Sequence, residues 1–277
     1  MNNNAMNDLE KYQDKDWRHC LYNSTLYKKS KGSTLDSRDY AQWYQLWVTH
    51  NNYSQVLFRH LEPYLEDNYV LVDIGAGVGA LAVPIAKRIQ KVIAVEPSTA
   101  MIEGLIENIR KEEDITIEII NERWEEVDIE NPKKCDVVLA SHSLYSIENI
   151  EKSLKKMFAV ANKYVFIIIG TGRQPIFFYK LWQAFKNEEY KPYPGFIQLY
   201  NKLYDMGIMA DVTFVQNSCN YVYTDLKQAT EQWLQRLNLP LTKVNELQKY
   251  LKGMLKKKEV FLWLEDNAKN AIIKIEI

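Results

Sequence analysis

The chain has 277 residues, of which 47% are hydrophobic and 26% charged, and its formal net charge at pH 7 is −1. This length suffices for one large or two small domains around a sizeable core, and the composition is that of a globular protein. Because no basic excess is available to neutralise phosphates, a nucleic-acid substrate is disfavoured. Cys20, Cys135 and Cys219 lie far apart without metal-ligand spacing, which favours a reducing, cytoplasmic setting.

Residues 1–66 are predicted to form helices around a loop. The chain begins Met1-Asn-Asn-Asn without an apolar signal-peptide core, and no stretch reaches the roughly 18 apolar residues that a membrane span needs. We therefore expect no membrane association. Four aromatic residues recur at i, i+3, i+4 and i+7 and so share one helix face: they are Tyr40, Trp43, Tyr44 and Trp47.

A glycine-rich segment follows the first predicted strand. The apolar run Val70–Val72 is typical of a central parallel strand buried on both faces, and it ends at Asp73. Gly75, Gly77 and Gly79 then allow a tight turn and a close approach to a ligand. A helix is predicted to start near residue 78 and to point its free N–H groups into this turn. The arrangement predicts a site for a nucleotide-type cofactor.

The spacing of this motif distinguishes between cofactors. It is G-x-G-x-G rather than the G-x-G-x-x-G of dinucleotide folds, and Asp73 precedes it. A carboxylate at this position is unfavourable for a pyrophosphate but suits a ligand that carries an ammonium and a sulfonium. A second apolar strand ends at Glu96, roughly 20 residues further on, where an acid is expected to hold ribose hydroxyls. NAD folds share this second feature.

Strands and helices alternate beyond this point. Strands are predicted at 115–120, 136–141 and 164–169, and helices near 98–111 and 147–161, with Ser98 and Ser146 as N-caps. Alternation of this kind implies a parallel sheet with right-handed crossovers and a ligand at the carboxyl ends of its strands. Four polar residues lie at or just past those ends: Asp73, Glu96, Arg123 and Ser141.

The last third of the chain is predicted to be helical, with a strand near 211–223. It is rich in aromatic residues, as is the amino-terminal segment, whereas the segment between them contains few. Near the end, Glu259–Leu264 and Asn270–Ile277 are short and β-rich around a turn, and we expect them to pair as a hairpin with one strand antiparallel to the rest of the sheet.

The segment from Val70 to Ala82 resembles motif I of the class I S-adenosylmethionine-dependent methyltransferases. Lys91–Ser98, the Ile115–Ile120 strand with the loop after it, and Asp136–Tyr145 resemble the family's following segments in the same order. The resemblance covers residues 66–170 closely. It implies an α/β fold: a doubly wound, seven-stranded, mostly parallel sheet with helical lid segments at the N-terminus and after strand five. The parts implied are a helical cap at 1–66, a cofactor-binding core at 67–170, and a lid insertion with the terminal hairpin at 171–277.

This resemblance also assigns cofactor contacts. Asp73 would hold the methionine amino group, Glu96 the ribose, and Pro97 and Met101 the adenine. Arg123 stands where the family often has an acid, and it cannot accept a hydrogen bond from the adenine amino group, so Trp124 retains only a backbone role and a ring-stacking role. The full predicted set is Asp73, Gly75, Ala76, Gly77, Gly79, Glu96, Pro97, Met101, Arg123, Trp124 and Ser141.

The implied reaction is an in-line displacement at the sulfonium methyl, in which the protein mainly positions the reactants. His142 is the one histidine expected on the catalytic face; with an ordinary pKa of about 6.5 it would accept a substrate proton, and Tyr145 is a second candidate. No metal-ligand cluster supports a metal-assisted reaction. Aromatic residues of the two flanking segments are predicted to bind substrate, although plain core packing would also explain them: Tyr40, Trp43, Trp47, Tyr179 and Trp182.

The leading interpretation is a methyltransferase for a small-molecule acceptor, in an unassigned oligomeric state. A protein or RNA methyltransferase is the alternative, although the charge balance offers no basic rim and Ser141-His-Ser-Leu replaces the Asn/Asp-Pro-Pro-Tyr type of motif. A non-catalytic protein that binds S-adenosylmethionine, and an NAD-binding protein, also remain open.

Overall fold

A computed structural model describes residues 16–25, 38–128, 134–172 and 176–277. The helices, in chain order, are α1 (Trp17–Asn23), α2 (Arg38–Thr49), α3 (Tyr53–Leu61), α4 (Ala82–Ala86), α5 (Thr99–Ile109), α6 (Ile150–Val160), α7 (Ile176–Phe185), α8 (Phe196–Asp205), α9 (Leu226–Arg236) and α10 (Val244–Met254). The strands are β1 (Val70–Ile74), β2 (Lys91–Val95), β3 (Ile117–Ile120), β4 (Cys135–Ser141), β5 (Ala161–Gly170), β6 (Asp211–Ser218), β7 (Tyr221–Tyr223), β8 (Lys256–Lys258), β9 (Phe261–Leu264) and β10 (Asn267–Glu276).

The main sheet of the described chain has seven strands in the order β3-β2-β1-β4-β5-β10-β6. Strand β1 lies near its centre and pairs in parallel with β2 and β4, so that Val72 lies opposite Ile93 and Val138. The apolar runs of these strands are buried on both faces, as the sequence predicts for central parallel strands. The predicted doubly wound, mostly parallel fold is confirmed, and the carboxyl ends of β1, β2 and β4 meet at one edge.

The predicted terminal hairpin is wrong in its pairing. Strand β9 belongs to a separate three-stranded sheet, where it pairs with β7 and β8. Strand β10 is antiparallel to both β5 and β6, and Ile272 lies opposite Ile168 and Thr213. The reason is burial: consecutive residues Asn270–Ile273 are all buried, so this strand needs a partner on each side and cover on both faces. Phe261–Trp263 are only partly buried and suit the smaller sheet.

Two helix starts also differ from the prediction. Helix α4 begins at Ala82 rather than near residue 78, because Gly79 has a φ of +85° and cannot continue a right-handed helix. Helix α6 begins at Ile150, and Asn149 rather than Ser146 accepts the capping hydrogen bond, from the Lys152 N–H. Ser98 caps α5 as predicted, by accepting from the Met101 N–H.

Helix α2 packs against the carboxy-terminal part of the chain. Trp43 of α2 shares a buried cluster with Phe177 and Trp182 of α7, Tyr223 of β7 and Trp233 of α9. The described parts of the predicted cap, residues 16–25 and 38–66, are largely helical as expected. No helix in the described ranges is long and apolar enough to cross a membrane.

The glycine-rich turn is packed tightly against the segment that follows β4. Gly75 has a φ of +73°, and its N–H donates to the Val95 carbonyl oxygen at 2.7 Å. A Cβ atom at this position would lie 2.3 Å from the Ser143 Cβ, which cannot rotate away. Glycine is therefore required at this position both by backbone conformation and by space.

We predict that Gly75→Ala destabilises the protein more than Gly207→Ala does. Gly207 has a similar φ of +78° but nothing within 4 Å of an added Cβ, so it isolates the conformational cost, about 1–2 kcal/mol. The Ser143 clash should add about 1–3 kcal/mol at Gly75. Urea unfolding of both variants measures the difference, and equal losses would show that the turn and Ser143 are not in tight contact.

Candidate active site

Two buried carboxylates lie at the carboxyl ends of adjacent strands. Asp73 belongs to β1 and is 2% exposed, and Glu96 directly follows β2 and is 7% exposed. The Glu96 Oε2 accepts the Gly77 N–H at 2.8 Å, and its Oε1 accepts the Ser98 N–H at 2.9 Å. One carboxylate thus joins the glycine-rich turn to the start of α5. A buried carboxylate at the end of a strand is also a suitable acceptor for the hydroxyls of a cis-diol.

Asp73 is held differently. Its carboxylate makes no hydrogen bond or ion pair with any residue that the structure describes. Burial, and then the negative charge of Glu96, raise the pKa of Asp73 to about 7. A buried carboxylate without a cationic partner is costly, and an ammonium ligand would remove that cost. This environment fits the amino group of a methionine-type cofactor.

The turn itself exposes its backbone. Gly75, Gly77 and Gly79 all have positive φ values, and Ala76 is buried, with its carbonyl accepting the Gly79 N–H at 2.9 Å. A Cβ on Gly77 would lie 3.4 Å from the Tyr44 Cε1, so a ring of α2 lies directly on the turn. Burial raises the pKa of Tyr44, and the charges of Asp73 and Glu96 add to this rise. Tyr44 therefore lies on the turn, in the buried region that contains both carboxylates.

A continuous row of rings leads from α2 to the end of β4. The centroid distances along it lie between 5.4 and 6.5 Å. Tyr53 lies in the middle and its Oη is 2.5 Å from the Ser141 Oγ, so it fixes the end of β4. The row consists, in order, of Tyr40, Tyr44, Trp47, Tyr53, His142 and Tyr145.

His142 and Tyr145 form a hydrogen-bonded pair. The His142 Nδ1 lies 2.8 Å from the Tyr145 Oη, which also accepts the Gly170 N–H at 2.8 Å. Burial raises the pKa of Tyr145 to about 12, so its hydroxyl keeps a proton, and of these two partners only Nδ1 can accept it. We therefore assign the remaining imidazole proton to Nε2.

This pairing affects the predicted role of His142. Burial lowers the pKa of His142 to about 4, below the ordinary value on which the general-base prediction depends. The ring is neutral at pH 7 and presents an Nε2–H donor. The geometry favours orientation of an acceptor by a hydrogen bond, and the general-base role stays a prediction.

The residues predicted to contact adenine differ in their exposure to solvent. Met101 is buried against Val78 and Ala100, beneath Ala41 of α2, while Pro97 and Arg123 are exposed. Asn121, which the sequence did not indicate, donates from Nδ2 to the carbonyl oxygens of Glu96 and Pro97, both at 3.0 Å. It thereby holds the segment after β2.

The predicted ring-stacking role of Trp124 is wrong. Its indole is 3% exposed, lies in the core, and donates from Nε1 to the Ser153 carbonyl oxygen at 3.3 Å. The Lys156 ammonium lies over the same ring. Because the indole is packed against α6, the predicted contact of adenine is left to the backbone of Trp124, and that contact stays a prediction.

The predicted substrate residues divide by burial. Tyr40, Trp47 and Tyr179 are half-buried, whereas Trp43 and Trp182 are 5% and 2% exposed. Trp182 stacks on Phe178 and donates from Nε1 to the Glu188 carbonyl oxygen at 2.8 Å, as core packing requires. Their substrate contacts stay predictions.

Comparison with known proteins agrees with this geometry. Residues 72–169 match a family model described as a methyltransferase domain. A solved structure of a candidate methyltransferase from Bacillus halodurans covers 80% of this chain and 98% of its own, with a TM-score of 0.53 and 13% identity. The match and the sheet topology both agree with the methyltransferase resemblance of the sequence. A methyltransferase domain is consistent with S-adenosylmethionine, the cofactor that the sequence predicts.

Curated relatives resemble only part of the chain. An uncharacterized protein of Haemophilus influenzae is 28% identical over 164 residues, which is 59% of this chain and 59% of that protein. A probable ribosomal RNA small subunit methyltransferase A of Methanosphaera stadtmanae is 41% identical over 64 residues, 23% of this chain and 24% of that protein. The chain thus matches less than two thirds of the length of either relative.

The pKa of Asp73 predicts a pH-dependent cofactor affinity. Below about pH 7 the carboxyl is protonated in the free protein, so an incoming ammonium must displace a proton. The affinity for S-adenosylhomocysteine should therefore fall about tenfold per pH unit below pH 7 and level off above it. Calorimetry between pH 5.5 and 8 measures this dependence.

Asp73→Asn should bind weakly, without this pH dependence. Asp136→Asn is the matched control, because Asp136 lies at the opposite end of the strands and accepts the Val70 N–H, which an amide oxygen can also accept. An affinity that is independent of pH in the unsubstituted protein would contradict the ammonium assignment.

Proposed function

We propose that the protein transfers the methyl group of S-adenosylmethionine to a small-molecule acceptor. The observation that carries this proposal is the position of α2, whose rings lie on the glycine-rich turn and also pack into the aromatic cluster of the carboxy-terminal part. An acceptor must then approach the cofactor between aromatic side chains. Such a site suits a small, largely apolar molecule better than a polymer.

The chemistry requires positioning more than acid–base assistance. When bound, the cofactor supplies an activated methyl group. In this proposal Asp73 holds the ammonium, Glu96 holds the ribose, and the rings above Gly77 exclude water. The Nε2–H of His142 would orient a lone pair of the acceptor for in-line attack. A neutral amine or a thiolate would need no general base, and a protonated nucleophile would lose its proton to solvent.

A nucleic-acid substrate is supported less well. The name of the archaeal relative favours RNA, but that match spans under a quarter of this chain. The positive charge of the basic edge strand β8 is partly neutralised, because Lys256 and Lys258 both pair with Glu265. The net charge of −1 also disfavours binding to a phosphate backbone.

The cofactor assignment predicts binding of S-adenosylhomocysteine and none of NAD. Glu96→Ala should weaken S-adenosylhomocysteine binding by about 1–3 kcal/mol, since charge-assisted hydrogen bonds to the ribose are lost. Glu118→Ala, which removes an exposed carboxylate of β3, is the control and should bind normally. Because Glu96 also holds two backbone N–H groups, circular dichroism must show that the variant is folded. Tighter binding of NAD would refute the assignment.

If the acceptor is a small molecule, the transferred methyl group should be found in small molecules. When the protein is incubated with methyl-labelled cofactor and a cell extract, the label should enter the low-molecular-weight fraction and not RNA or protein. Glu96→Ala should abolish most of this incorporation. Label in RNA or protein would favour the macromolecular alternative, and cofactor binding with no transfer to any fraction would favour a non-catalytic binding protein.

A further inference from the structure

A half-buried arginine lies within the aromatic cluster. Arg236 is the last residue of α9, and its guanidinium carbon lies 4.7 Å from the ring centroid of Trp43, 4.9 Å from that of Tyr221 and 5.4 Å from that of Trp233. An arginine stays charged at any physiological pH. Its cation therefore lies among rings, where water is largely excluded.

This cation has no carboxylate partner in the described ranges. Every ion pair that the structure records involves other residues. Burial opposes the charge of Arg236, but Tyr221, Tyr40 and Tyr223 face the guanidinium and raise its pKa overall. Neutral hydroxyls stabilise a desolvated cation only in part, so an anion would be bound favourably at this position.

Two further hydrogen-bond donors nearby lack partners. The Trp43 Nε1 and the Tyr190 Oη are buried and form no hydrogen bond within the described residues. Trp43 lies under the guanidinium. Tyr190 belongs to the same buried cluster as Trp43 and Trp233, the rings that contact the guanidinium. Buried donors left without partners around a cation are characteristic of a site for an oxygen anion.

The arginine is close to the cofactor site but separate from it. The Tyr40 ring lies 5.6 Å from the ring of Trp43, which contacts the guanidinium, and 6.5 Å from the ring of Tyr44, which lies on the turn at Gly77. These rings of α2 connect the arginine with the glycine-rich turn. An acceptor molecule bound between these aromatic rings would extend from Arg236 to the cofactor site.

We propose that Arg236, the Trp43 Nε1–H and the Tyr190 O–H bind an oxyanion, a carboxylate or phosphate, carried by the methyl acceptor. This inference rests on the proposed function, because it defines the acceptor of the same site. The rings would hold the apolar part of the acceptor and Arg236 its charged end. The acceptor would thereby be fixed in orientation with its nucleophile toward the methyl group.

The test uses simple aromatic probes with the full chain saturated with S-adenosylhomocysteine. Benzoate and phenyl phosphate carry the oxyanion, and benzamide is the neutral analogue of benzoate. Thermal unfolding and calorimetry should show that at least one of the two anions stabilises and binds the unsubstituted protein, and that benzamide does so at least about tenfold more weakly. No binding of either anion, or equal binding of benzamide, would overturn the inference.

Variants assign the effect to the arginine. Arg236→Met should lose the preference for anions, and Arg236→Lys should retain part of it. Arg110→Met is the matched control, because Arg110 also lies at the end of a helix but is exposed. If Arg236→Met does not fold, Tyr190→Phe must still weaken anion binding, since it removes only a hydroxyl. A normal anion preference in the folded variants would overturn the inference.

A further experiment tests whether the anion that Arg236 binds belongs to the acceptor or to the cofactor. S-adenosylhomocysteine carries a carboxylate that methylthioadenosine lacks. If Arg236→Met weakens S-adenosylhomocysteine tenfold but leaves methylthioadenosine unchanged, Arg236 binds the cofactor and the acceptor assignment is wrong. Failure of the unsubstituted protein to bind S-adenosylhomocysteine would instead refute the proposed function. In that case the same probes are measured without S-adenosylhomocysteine, and the preference for anions over benzamide still tests the arginine site.

Discussion

The Glu96 carboxylate joins two pieces of backbone that would otherwise end with unsatisfied N–H groups. It accepts from Gly77 in the glycine-rich turn and from Ser98 at the start of α5. Asn121 holds the adjacent carbonyl oxygens of Glu96 and Pro97. The geometry of the cofactor site depends on this bridge, because a loop of residues with positive φ has no regular ladder of its own to hold it.

The placement of α2 depends on the same turn. The Tyr44 ring lies on the turn at Gly77, and the neighbouring rings continue this contact to Tyr53 and His142. A site roofed in this way has a low local dielectric. That environment explains at once why the carboxyl of Asp73 holds its proton more tightly and why the imidazole of His142 loses its own more easily.

Charge is distributed unevenly across this roofed space. The two carboxylates lie by the glycine-rich turn, on which the Tyr44 ring of α2 packs, and Arg236 packs on Trp43 of the same helix. A zwitterionic cofactor and an anionic acceptor would each complete one part of this arrangement. The aromatic residues thus exclude water, and their faces stabilise a guanidinium that has no carboxylate partner among the residues that the structure describes.

The sequence by itself determined the alternation of strands and helices in the core, the glycine-rich turn and the positions of Asp73 and Glu96 at the ends of strands. These features follow from local patterns, since buried parallel strands are continuously apolar and only glycine tolerates the required φ angles. The pairing of β10 with β6, the burial of Trp124 and the position of Arg236 were decided by the tertiary structure alone. A strand's partner and a side chain's neighbours depend on residues distant in the chain, and neither periodicity nor propensity records which distant surfaces will meet.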